Sequence, residues 1–196
     1  DYFFTMCMAI SDLSTSAQGQ CVMRTRDLTD PSSWRAWDGT DFRLPMASPY
    51  DALGYPAPTG QSACIPVSAS LIAGMGGSLT YNTFLERYVL VGSGVFAHQG
   101  AQVCGSWFSI SEDLIAWSAP ALIMPGKLPY PPCGRGSPDG SIIYPSLIDH
   151  AAPDVNFTQT GQTPHLYYVR WNQGLDRDLV RVPLRFDLLR PAEPTD

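Results

Sequence analysis

Long apolar runs are missing from this 196-residue chain. No stretch reaches the roughly 18 apolar residues that a membrane-spanning helix needs, so membrane insertion is not expected. Basic residues are scarce too. Twelve Lys and Arg stand against 18 Asp and Glu, a formal charge of −6, and such a chain has no basic footprint for nucleic-acid phosphates or an anionic bilayer. Charged residues of both signs reach only 15%, while 44% are hydrophobic. That is below the roughly 25% charge of typical soluble domains and enough apolar material for one domain with a core. The start, "DYFFTMCMAI", lacks the basic region of a signal peptide and an initiator Met. It reads as strand at once, so residue 1 is expected to be a boundary left by processing.

Metal and phosphate motifs are absent as well. The cysteines, Cys7, Cys21, Cys64, Cys104 and Cys133, show no C-x-x-C spacing, which argues against zinc and redox sites. His98, His150 and His165 lack clear carboxylate partners, and "GMGG" (74–77) has no following Lys, as a phosphate loop would need. No cofactor is expected, and nothing indicates a structural calcium. Disulfides are the favoured use of the cysteines, with buried thiols as the alternative. Five is odd, so one thiol stays free or pairs outside the chain. A bridge between two of Cys64, Cys104 and Cys133 would stiffen the loops that carry them. Cys7 and Cys21 face each other across the first hairpin, as a bridge or as two thiols. Asn156-Phe157-Thr158 is a glycosylation sequon, relevant if the chain comes from a secretory eukaryotic cell.

Helical periodicity is the last absence, and it points to what is present. Seventeen Gly and 18 Pro cluster between short runs rich in β-branched and aromatic residues, the pattern of many strands joined by turns. One hairpin recurs. "ISEDLIAWSAP" (110–120) carries Asp113, Leu114 and Trp117; "TRDLTDPSSWRAW" (25–37) repeats it with Asp27, Leu28 and Trp34 or Trp37. "DRDLVRVPLRF" (176–186) keeps Asp178 and Leu179 without a Trp. In each copy the Asp is read as capping its own turn. Around these hairpins the predicted strands are 2–10, 20–27 and 35–44; then 77–84, 87–95, 105–113 and 117–124; then 141–149, 165–171 and 178–186. Recurring units of this kind indicate repeat architecture. The fold class is all-β, a β-propeller of four-stranded antiparallel blades. A partial blade covers 1–44, a full one 77–124 and another partial one 141–186, with a tail at 187–196. Propellers close with about four to eight blades, so a missing segment or another chain is expected to complete the ring.

"SEDLIAWSAP" resembles the S-x-D-L-x-x-W hairpin of the five-bladed propellers in the glycoside hydrolase family 43, 32 and 117 group. "YNTFLERYVLVGS" (81–93) and "YPSLIDH" (144–150) with "LYYVRW" (166–171) resemble their paired inner strands. The likeness spans most of Tyr2 to Phe186. It implies a five-bladed ring, a carbohydrate-directed funnel at the inner-strand beginnings, carboxylates that cleave glycosidic bonds there, and export to an extracellular or periplasmic space. In this chain the two family acid positions fall on Gly76 and Tyr144. Glycine has no side chain, and tyrosine, with a reference pKa of about 10, is no general acid near neutrality. The expected carboxylates are therefore absent from the two inner strands present, and no catalytic residue is assigned.

Two functions follow as expectations: glycan binding or glycosidic-bond hydrolysis in the funnel, or a non-catalytic propeller serving as a structural or protein-interaction subunit. The partner in the first case is a glycan or oligosaccharide. Its candidate contacts are Tyr50, Tyr55, His98, Tyr130, Arg135, Tyr144 and Trp171, since aromatic faces stack on the apolar side of sugars. Tyr144 and Trp171 have a competing reading as inner-strand packing. The funnel loops are placed at 10–20, 44–76, 95–106, 125–141 and 171–175. The 45–77 segment is too long for a simple turn and is expected to form a functional wall. The insertion within 145–168 is expected at the opposite face.

Overall fold

The computed structural model describes residues 1–12, 17–45, 64–134 and 137–188. The chain is all-β, built as three antiparallel sheets stacked face to face. The first contains β1 (Phe3–Asp12), β2 (Ala17–Thr25), β3 (Arg35–Trp37) and β4 (Phe42–Pro45), in that spatial order. The second contains β5 (Gly76–Asn82), β6 (Arg87–His98), β7 (Ala101–Ser111) and β8 (Ala121–Pro125). In the third, β9 (Ile142–Ile148) and β12 (Arg177–Pro183) flank β11 (His165–Trp171). The two-residue β10 (Gln159–Thr160) leaves the third unit to pair in parallel with the far end of β5.

Alternation along the strands builds two cores from one middle sheet. Leu90 and Trp107 point to one face, where with Val22, Met75, Leu114 and Trp117 they fill the space toward the first sheet. Val89 and Val91 point to the other and meet Leu147, Leu166 and Tyr168 of the third. Trp107 is fully buried, and its indole N–H donates to the Gly94 carbonyl at 3.2 Å, which removes the cost of hiding that donor. A smaller cluster of Cys21, Met23, Ala36 and Cys64 lies on the outer face of the first sheet.

The recurring hairpin is real at the level of hydrogen bonds. The Ser111 hydroxyl accepts from the Asp113 and Leu114 N–H groups, and Asp113 accepts from Ile115 and Ala116 at 2.9 and 2.8 Å. In the first copy the Thr25 hydroxyl accepts from Asp27 N–H and Asp27 accepts from Thr29. The third copy differs. Asp178 lies inside β12 and pairs with the Arg170 guanidinium at 2.7 Å, so it caps no turn.

Other expectations are corrected by local turn chemistry. The strand placed at 35–44 is two strands, because Asp38 accepts the N–H groups of Thr40 and Asp41 and Gly39 takes φ +98°, reversing the chain. The loop placed at 95–106 is almost all strand. β6 and β7 extend to a two-residue turn, Gln99-Gly100, with φ of +50° and +81°, both positive as the twist of a tight hairpin requires. Strand likewise occupies most of 10–20. Cys7 and Cys21 are opposite in register, yet Cys21 is bonded to Cys64, with Cα atoms 5.8 Å apart. Cys104 is bonded to Cys133 at 5.7 Å, and Cys7 is the free thiol.

Candidate functional site

Register fixes which ends of the strands meet. β5 begins opposite the end of β6, β8 ends beside the beginning of β7, and β9 begins beside the end of β11. A hypothetical Cβ on Gly77 would lie 3.0 Å from the Pro145 carbonyl oxygen, and one on Gly76 would lie 3.5 Å from the Met8 methyl group. β1, β5 and β9 therefore converge at Gly76-Gly77. β5 is further tied to β9 by the Leu147 N–H, which donates to the Ser78 hydroxyl at 2.9 Å. The backbone segments that carry Gly76 and Tyr144, the two positions at which the propeller resemblance leads one to expect carboxylates, thus approach each other.

Tyr144 is the exceptional residue there. The β9–β11 register slips between Tyr167 and Val169, leaving Tyr144 and Pro145 opposite Tyr168 alone, a bulge. Bulges tolerate Pro and re-aim side chains. Tyr144 has φ +57° and is 65% exposed. Left-handed backbone costs a bulky L-residue about 1–2 kcal/mol, and so exposed a ring recovers little of that through burial. Met8, the nearest neighbour of a side chain at Gly76, is half exposed. The Ser93 and Ser106 hydroxyls, cross-strand neighbours, are buried with no hydrogen-bond partner among the described residues.

His98 ends β6, with its ring edge-on to Trp107 at 6.2 Å. Tyr130 lies in the turn closed by Cys133, whose N–H donates to its carbonyl at 3.1 Å; burial pushes its phenol pKa upward. Trp171 ends β11, half-buried, with the Arg177 guanidinium 4.4 Å from its ring centre. By strand direction all three share the Tyr144 end of the stack, although no aromatic contact joins them to Tyr144 among the described residues. Tyr50, Tyr55 and Arg135 lie outside the described residues.

Three carboxylates at this end are tied to the β11–β12 hairpin. Asp139 accepts the Gly174 N–H at 3.2 Å, Asp176 accepts the Asn172 carboxamide at 3.1 Å, and Asp178 is held below the usual carboxylate range by the Arg170 guanidinium. Among the described residues no cluster of three metal-ligating side chains occurs. The opposite end carries features the sequence did not reveal. His150 and His165, 15 positions apart in the numbering, bring their rings to 5.4 Å, and the His150 Nε2 lies 2.8 Å from the Tyr167 hydroxyl. An open groove of about 420 Å³ runs beside the Asp113 hairpin, lined by Arg87, Glu112 and Trp117. The 145–168 insertion is also at that end, where Asn156 is exposed.

No family model matches the chain, and no curated protein or solved structure matches it significantly.

Proposed function

We propose that this chain is a non-catalytic, carbohydrate-binding sector of an exported five-bladed β-propeller, with the glycan seated where β1, β5 and β9 converge. Tyr144 carries this reading. An aromatic ring held outward on a strained bulge is poorly explained by packing, whereas a flat apolar face presented to solvent suits the apolar side of a sugar ring. The stacking of three sheets with β1, β5 and β9 adjacent supports the propeller reading, and the hairpin shared by the first two sheets supports it further. Two disulfides suit an oxidising, exported setting. Hydrolysis is disfavoured because it needs a proton donor and a second carboxylate flanking the bond, while Gly76 and Tyr144 occupy the positions in question. A glycan array combined with a panel of chromogenic glycosides tests the proposal. Retention of one glycan class without turnover is expected; turnover, or silence in both assays, counts against it.

A protein-interaction role is the second reading. It is favoured by the β12 edge of the third sheet and its turn, where Leu175 and Leu179 are 86% and 71% exposed. Binding of glycan-free protein ligands at that edge, unaffected by Tyr144 substitution, would select it.

A further inference from the structure

Three sulfur atoms occupy one face of the first sheet. Cys7 on β1 is directly opposite Cys21 on β2. Opposed residues of an antiparallel pair point to the same face with Cα atoms about 4.5–5.5 Å apart, inside the span that a disulfide bridges. Cys21 is nevertheless bonded to Cys64, while Cys7 is an exposed free thiol. A thiol is thus built next to a disulfide whose near sulfur it can also bond.

We propose that Cys7, Cys21 and Cys64 form an intramolecular thiol–disulfide exchange site. The Cys7 thiolate attacks the Cys21 Sγ, a Cys7–Cys21 bond forms, and the Cys21–Cys64 bond breaks. Cys64 leaves as a thiolate and takes up the proton that Cys7 released. The number of disulfides and thiols is unchanged, so no oxidant or reductant is consumed. Burial fixes the direction at rest. Cys21 and Cys64 are almost fully buried with Met23 and Ala36, so the resting bond belongs to a packed cluster, and the exchanged state exposes the Cys64 thiol only when that cluster loosens.

The exchange has a structural consequence. Cys64 anchors the segment that follows it, in which the Ile65 N–H donates to Trp37 at 2.8 Å and the Val67 N–H donates to Gln20 at 2.9 Å. Moving the bond to Cys7–Cys21 replaces a cross-link of 43 residues' separation with a local strand-to-strand link and releases this anchor. The exchange therefore switches residues 64–67 between a fastened and a released attachment to the first sheet.

Disulfide mapping tests it. The oxidised protein is incubated without reductant, alkylated with iodoacetamide at intervals, digested without reduction and analysed by mass spectrometry. The proposal expects label to accumulate on Cys64 as well as Cys7, with a Cys7–Cys21 cross-linked peptide rising in step. In Cys7→Ser, Cys64 labelling should fall by about tenfold or more, because the attacking sulfur is gone. Label confined to Cys7 would overturn the proposal. Equal Cys64 labelling in Cys7→Ser would do the same, as would concurrent label on Cys104 or Cys133, which reports general scrambling.

Discussion

Two neighbouring glycines should respond in opposite ways to the same added methyl group. At Gly77 a Cβ would collide with the Val91 carbonyl and meet the Pro145 carbonyl oxygen at 3.0 Å. Both obstacles are backbone, Val91 of β6 and Pro145 of β9, so relief requires β5 to shift against β6 and β9 to move off it, loosening the cluster of Val89, Val91, Leu147 and Leu166 beneath. Overpacking of this kind costs about 1–3 kcal/mol, and the loss of side-chain contacts along β9 places the expected cost of Gly77→Ala near the upper end, about 3 kcal/mol. At Gly76 the added methyl finds only the flexible end of Met8 at 3.5 Å. Gly76→Ala should therefore be neutral or stabilising by about 0.5 kcal/mol, because alanine narrows the unfolded ensemble. Urea unfolding followed by fluorescence of the buried Trp107 and Trp117 reads both variants. With a slope of about 2–3 kcal/mol per molar urea, Gly77→Ala should lower the midpoint by about 1 M and Gly76→Ala should leave it in place. Equal midpoints, or a more damaging substitution at Gly76, would refute the close packing of β5 between β6 and β9 on which the candidate site depends.

Tyr144→Gly should match or exceed the wild-type melting temperature, by up to about 3 °C, since relief of the positive φ offsets the added unfolded-state entropy; differential scanning calorimetry checks this. The double variant Cys104→Ser/Cys133→Ser removes a cross-link of 29 residues' separation and should lose about 2–4 kcal/mol in the same urea assay. Stability should also fall in acid. Asp27 is held below the ordinary 3.8 by the Thr29 hydroxyl and N–H, Asp154 by the Thr158 N–H, and Asp178 by Arg170; burial raises Asp113, but the Ala116 and Ile115 N–H groups outweigh it. Folded values below unfolded ones make these contributions full above about pH 4 and progressively lost as pH falls through the folded values, so urea midpoints should be level near neutrality and decline below about pH 4.

Strands whose pattern is local were legible in the sequence. "HLYYVRW" is rich in aromatic and β-branched residues and is bounded by Pro164 and Asn172, and β11 occupies that segment. The Asp113 hairpin was legible because serine and aspartate cap the backbone within five residues of each other. What escaped was either turn chemistry hidden in an apolar run or a partner far along the chain. Asp38-Gly39 splits 35–44 into β3 and β4, although the flanking aromatics suggest one strand. β10 is only two residues long and pairs with a strand nearly 80 positions earlier, so no local pattern announces it. Cys7 and Cys21 are opposite in register, but the bond goes to Cys64, because disulfide connectivity depends on which loop returns over the sheet. The same limit applied to the site. Gly76 and Tyr144 were singled out as emptied positions, yet the bulge that turns Tyr144 outward arises from the slip against Tyr168, a tertiary event.

Binding of an array-selected glycan, measured by titration calorimetry on the wild type, Tyr144→Phe and Tyr144→Ala, tests the central claim most directly. A stacking platform predicts near-unchanged affinity for Tyr144→Phe and a loss of about tenfold or more for Tyr144→Ala, equivalent to about 1.4 kcal/mol, with all three proteins equally folded. Equal affinity of Tyr144→Ala and the wild type would contradict it.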